Sequence, residues 1–128
     1  MTDIQEIEEG VLIEADFYPY RIGNLLNDIE VRNGSLDMRE LFRMAGNVIG
    51  SLWTLGFIKV IKTGYRMADE DTFEPMSHTV LSDAETREFL KNPDKWDEMD
   101  ILSDTLAYEL EITEDGRNYL ESAIRTIR

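Results

Sequence analysis

The stretch DMRELFRMAGNVIGSLWTLGFI, Asp37 to Ile58, decides how the rest of the chain is read. Met38, Leu41, Ala45, Val48/Ile49, Leu52 and Leu55 recur at three and four residues, the spacing that lines one side of a helix. A long amphipathic helix is therefore expected over 37–55. Asp37 with Glu40 three residues later has the chemistry of an N-cap and its N3 partner, and Gly56 stands where a left-handed residue closes a helix. The following FIKVIK predicts a strand over 57–65, ending in a Thr63-Gly64 turn. Gly46 and Gly50 form a G-x-x-x-G pair, but the segment is too short and too charged for a bilayer. The pair either lets another helix approach closely or breaks the segment into helices 37–45 and 47–55; the unbroken phase of the apolar stripe favours one helix.

Toward the N-terminus, Ile4, Ile7, Val11 and Ala15 keep helical spacing over 3–17, with acids on the other faces. Val11, Ile13 and Ala15 also alternate, so GVLIEADF admits a strand. Pro19 interrupts the chain, and Ile22, Leu25/Leu26 and Ile29 predict a second helix over 20–31, stopped by Arg32-Asn33-Gly34. Toward the C-terminus, Tyr108, Leu110 and Ile112 alternate with Glu109 and Glu111, a strand with one buried and one exposed face. Paired with 57–65, it would set these glutamates opposite Lys59 and Lys62. Thr113 can cap a final helix over 114–127 whose stripe is Tyr119/Leu120, Ala123/Ile124 and Ile127. Between the strands, ADEDTFEPMSH reads as an irregular acidic loop, Ser82-x-x-Glu85 as a capping box opening a short helix that stops at Asn92-Pro93, and Trp96, Met99 and Leu102 as a further helical turn or two.

The helix ending in L-x-x-L-G-F-I and running straight into a strand resembles the recognition helix and first wing strand of winged-helix proteins, and YELEITEDGRNYL resembles the last wing strand entering a helix. Within that superfamily the spacing over 18–66 and 105–127 is similar to PadR-type regulators. The resemblance implies an α+β, mostly helical winged-helix domain with a small antiparallel sheet as its wing. It implies a DNA-binding transcriptional regulator that places helix 37–55 in the major groove of double-stranded DNA. Arg39, Arg43 and Asn47, at i, i+4 and i+8 opposite the apolar stripe, would face bases, while Arg32, Lys59, Lys62 and Arg66 would contact phosphates. Arginine can grip guanine O6 and N7 in a fork, and asparagine can pair with the adenine edge. Exposed Arg and Asn are also ordinary on any helix. The terminal helices would build a homodimer or pack on each other within one subunit. The insert 67–104 departs from the family pattern; it is a candidate protein-binding or ligand-sensing element, or a cover for one side of the core.

Composition bounds the remainder. A chain of 128 residues with 42% hydrophobic residues suits one folded domain over 1–128. The absence of cysteine removes disulfides, thiol nucleophiles and cysteine-ligated zinc. The acidic MTDIQEIEEG start and the lack of any membrane-length apolar run point to a soluble, cytoplasmic protein. Net charge is −14, yet residues 32–66 hold six basic residues against Asp37 and Glu40, a local +4 that leaves −18 elsewhere. That split suggests one cationic face on an acidic body, or simply scattered surface charge. It leaves open a winged-helix scaffold that binds protein rather than DNA. His78 is the single histidine, and no phosphate-binding loop or dinucleotide fingerprint is present, so neither an enzyme nor a cofactor is expected. Asp69, Asp71, Glu74 and His78 could supply metal ligands, but Pro75 and the solvated acidic setting favour an accidental cluster.

Overall fold

The computed structural model describes residues 6–34, 36–67, 69–70, 72–91, 93 and 106–127. In chain order these form α1 (Glu6–Phe17), β1 (Tyr20–Arg21), α2 (Ile22–Asn33), α3 (Met38–Thr54), β2 (Ile58–Met67), β3 (Phe73–Val80), α4 (Asp83–Lys91), β4 (Leu106–Ile112) and α5 (Glu114–Ile127). The architecture is α+β, with an antiparallel sheet in the order β1-β4-β2-β3. No helix among the described residues is long and apolar enough to cross a membrane.

The central helix forms as its sequence asks. Asp37 is extended, and its carboxylate accepts from Glu40 N at 3.0 Å. The helix continues unbroken through Gly46 and Gly50. Its inner side, Leu41, Phe42, Ala45, Ile49 and Leu52, is buried against Ile22, Leu25 and Ile29 of α2 and Val11 and Leu12 of α1. Ile58, Val60, Tyr108, Leu110 and Ile112 close this core from the sheet. Each such side chain removed from water contributes about 1.5–3 kcal/mol before the entropy of ordering is counted.

One junction ties the two ends of the sequence together. Gly56 has φ +79°, which lets the chain leave α3 and enter β2 with only Leu55, Gly56 and Phe57 between them. Thr113 N donates to Phe57 O at 2.9 Å, and the Thr113 hydroxyl donates to Gly56 O at 2.6 Å. The same hydroxyl accepts from Gly116 N at 3.1 Å, capping α5. A Cβ on Gly116 would lie 2.4 Å from Phe57 O and 2.8 Å from Ile112 Cγ1, so only glycine lets α5 seat this closely. The Phe57 and Tyr119 rings then pack against each other, tilted by 33°, with 4.9 Å between centroids.

Several expectations are corrected. Tyr20 and Arg21 do not begin the second helix; they pair with Leu110 and Glu109, and α2 starts at Ile22. Thr63-Gly64 is not a turn, because β2 runs to Met67, with Gly64 opposite both Leu106 and Ser77. The segment read as an irregular acidic loop, residues 68–78, supplies most of β3. Pro75 is tolerated there because β3 is the sheet edge and the register jumps beside it, pairing Gly64 with Ser77 but Tyr65 with Pro75. The insert therefore supplies a strand as well as α4. The Ser82–Glu85 capping box forms reciprocally, Ser82 N to Glu85 Oε1 at 3.0 Å and Glu85 N to Ser82 Oγ at 3.1 Å. The backbone N–H of Ser82 holds the Glu85 carboxyl below its usual pKa. The Trp96, Met99 and Leu102 turn lies outside the described residues, as does Ile4.

The second face of β4 is also corrected. Glu109 is 3% exposed rather than solvent-facing. As a central strand between β1 and β2, β4 receives partners from both sides. Arg21 Nε lies 3.7 Å from Glu109 Oε2, and Tyr65 OH donates to the same oxygen at 2.7 Å. The Arg21 guanidinium sits 4.7 Å above the centroid of the Tyr65 ring. Burial and the hydrogen bond to Glu109 raise the Tyr65 phenol above its ordinary pKa.

Candidate functional site

The candidate nucleic-acid surface is the outer side of α3. Burial of the Leu41–Leu52 stripe turns Arg39, Arg43 and Asn47 outward, and all three are exposed. Glu40 is exposed beside them. Asn47 also faces a groove of about 490 Å³ between α3 and the neighbouring ends of α1 and α2, where it meets Arg32, Ser51, Glu6 and Glu8. Four of the sequence-predicted residues thus form two separate pairs: Arg39 and Arg43 on the first half of α3, and Asn47 with Arg32 at the groove.

The remaining cations do not join them on one face. Lys59 and Lys62 are three residues apart in β2, so the pleat sends them to opposite sides of the sheet. Lys59 stands opposite Glu111, as expected of the strand pair. Lys62 stands opposite Tyr108, not Glu109, with its ammonium 5.7 Å from the Tyr108 ring centroid. Glu109 is opposite Ile61. Arg66 lies toward the far end of the β2–β3 hairpin and is ion-paired with Glu74. Arg32 Nη1 is 3.8 Å from Glu6 Oε1. Three of the four residues assigned to phosphates therefore face carboxylates: Arg32, Lys59 and Arg66. This lowers the positive potential they could offer a duplex.

The suggested metal ligands disperse in the same way. His78 Nε2 is 3.3 Å from Glu111 Oε2, Glu74 is engaged by Arg66, and Asp71 lies outside the described residues. Among the described residues, no three His, Asp or Glu side chains converge as a metal site would require.

The terminal helices meet within the subunit. Arg117 Nε lies 3.0 Å from Asp16 Oδ1, and Leu120 is buried in the common core. The outer side of α1 leaves Ile13 and Phe17, one turn apart, exposed.

Sequence reasoning missed the Arg21–Glu109–Tyr65 cluster. Its members are 44 and 88 positions apart, and the period-two pattern assigned Glu109 to solvent; the only signal was a Tyr-Arg pair beside the Pro19 break. It also missed His78–Glu111, a bridge from β3 to β4 across the intervening β2.

No protein-family model, curated protein or solved structure matches the chain.

Proposed function

We propose that this chain is a winged-helix, PadR-like DNA-binding protein that regulates transcription by presenting α3 to the major groove. The supporting observation is the order of elements around α3. Three helices lead through a left-handed glycine into β2, and β4 returns beside β2 and passes directly into α5. Such an arrangement leaves the Arg39–Arg43–Asn47 side of α3 turned outward from the core that fixes it. Arg39 and Arg43 are the base-reading residues, and Asn47 with Arg32 meets the duplex at the groove. Because Arg32, Lys59 and Arg66 face acids, affinity relies on few phosphates. Log K should fall with log salt at a slope of about −2 to −3, following roughly −0.9 for each phosphate neutralised. Ile13 and Phe17 of α1 are where two copies would meet to read paired half-sites.

Fluorescence anisotropy with random and selected duplexes across a salt series tests this directly. Binding at low salt that is abolished by Arg39→Ala plus Arg43→Ala is expected. No binding at low salt, or binding indifferent to that pair, overturns it.

A second reading has its own observation. The cation–carboxylate pairs, with −18 outside residues 32–66, suit an acidic winged-helix scaffold that docks a basic protein, through the insert 67–104 in particular. The same anisotropy series with labelled poly-lysine separates the two. Capture of the polycation without capture of the duplex selects the scaffold.

A further inference from the structure

We infer that the free edge of β3, along Ser77–Val80, accepts an extended basic segment of a partner protein as an added antiparallel strand. This inference rests on the protein-docking reading and names its site and the chemistry of its partner.

Among the described residues, β3 pairs only with β2 and ends the sheet. Pro75 through Val80 are all exposed, so neither face of this part of the strand is covered. An edge strand presents alternate N–H and C=O groups to whatever lies beside it, and a strand laid there satisfies them at once. Pro75 and the bulge, which leaves Met76 unpaired between Ser77 and Pro75, end the usable edge on one side. On the other side Leu81 N donates to Val60 O at 2.9 Å and the chain turns into α4. The window is thus Ser77–Val80, flanked by exposed apolar side chains, Met76 at 64% and Val80 at 44% exposure.

Charge selects the occupant. Residues 67–91 carry seven acids against Arg87 and Lys91, and Asp69, Glu70 and Asp83 near the two ends of β3 are exposed. A strand alternating Lys or Arg with apolar residues would meet this field favourably, its apolar side chains reaching Met76 and Val80. A second copy of the chain would bring two bodies of −14 together along the same edge, which like-charge repulsion opposes.

The test is a titration of the full-length 15N-labelled chain with the capped hexapeptide Lys-Val-Lys-Val-Lys-Val, followed by amide shifts and hydrogen exchange. Shifts and slowed exchange centred on Ser77–Val80 are expected. Binding should be at least tenfold weaker when alternate peptide nitrogens are methylated, because a methylated backbone keeps its charge and loses its ladder. Met76→Lys plus Val80→Lys should weaken binding as strongly while leaving the urea midpoint unchanged. Equal binding of the methylated peptide, or no shift at all, overturns the inference. Shifts confined to α4 also overturn it, though the docking reading then survives. So does slow exchange of Ser77–Val80 without peptide, accompanied by a dimer mass in sedimentation, since the edge is then filled by a second copy.

Discussion

The two halves of β2 are one strand in two environments. From Ile58 to Thr63 it is paired with β4 throughout; Ile58 and Val60 pack on the helical core, and Ile61 and Thr63 are buried on the other face of the sheet. From Gly64 to Met67 it runs out as a hairpin arm with β3, where Arg66 and Met67 are exposed. The inner half is held by close backbone approach at Gly56, Thr113 and Gly116. Its outer half is held by a two-stranded ladder and surface charge pairs. Shape is therefore fixed at the inner end, and the outer end is available for contact. Substitutions at the two ends should differ accordingly.

The largest effect is expected at Gly116. Gly116→Ala sets a methyl against Phe57 O and Ile112 and should cost about 1–3 kcal/mol, read from urea unfolding. A loss below about 0.5 kcal/mol would mean that α5 can shift and that the inner junction is no tighter than the arm. Thr113→Ala, which removes both the cap and the bridge to Gly56, should cost about 0.5–2 kcal/mol in the same measurement.

How much of this was legible follows the range of the interactions involved. The α3 stripe, the Asp37 cap, Gly56, Thr113 and the Ser82–Glu85 box depend on residues within about four positions, and the sequence displays all of them. β3 was not legible. FEPMSHTV contains a proline and few β-branched residues, and it is a strand because β2 offers it a ladder. The burial of Glu109 was not legible either, since alternation implies a solvated outer face, whereas the side chains of Arg21 and Tyr65, distant in sequence, close over its carboxylate. At the candidate site, the outward side of α3 follows from its stripe. The carboxylates facing Arg32 and Arg66 belong to α1 and β3, and their positions depended on packing.

Tyr65 offers a test of the boundary between the two halves. Its phenol is raised by burial and by Glu109, so its contribution to stability is complete below the unfolded value of about 10 and is lost as pH rises through the folded value. Wild type should accordingly lose more stability than Tyr65→Phe between roughly pH 9 and 11, measured as paired urea midpoints. Parallel curves would show that the Glu109 cluster is not coupled to folding. Gly50→Ala should raise stability by about 0.5–1 kcal/mol, because an added Cβ meets only Leu90 Cδ1, at 3.9 Å, and gains helix propensity. Destabilisation there would show that α4 needs the glycine, as the G-x-x-x-G spacing first suggested. The smallest effect is expected on the arm, where Arg66→Ala should change stability by less than about 1 kcal/mol, since its pair with Glu74 is exposed.

The most direct test of function is an amide-shift titration of the full-length 15N-labelled chain with a duplex at low salt. A DNA-reading α3 predicts shifts concentrated at Arg39, Arg43 and Asn47 that collapse as salt is raised. Absence of shifts at low salt, or shifts confined to β3 and α4, contradicts it.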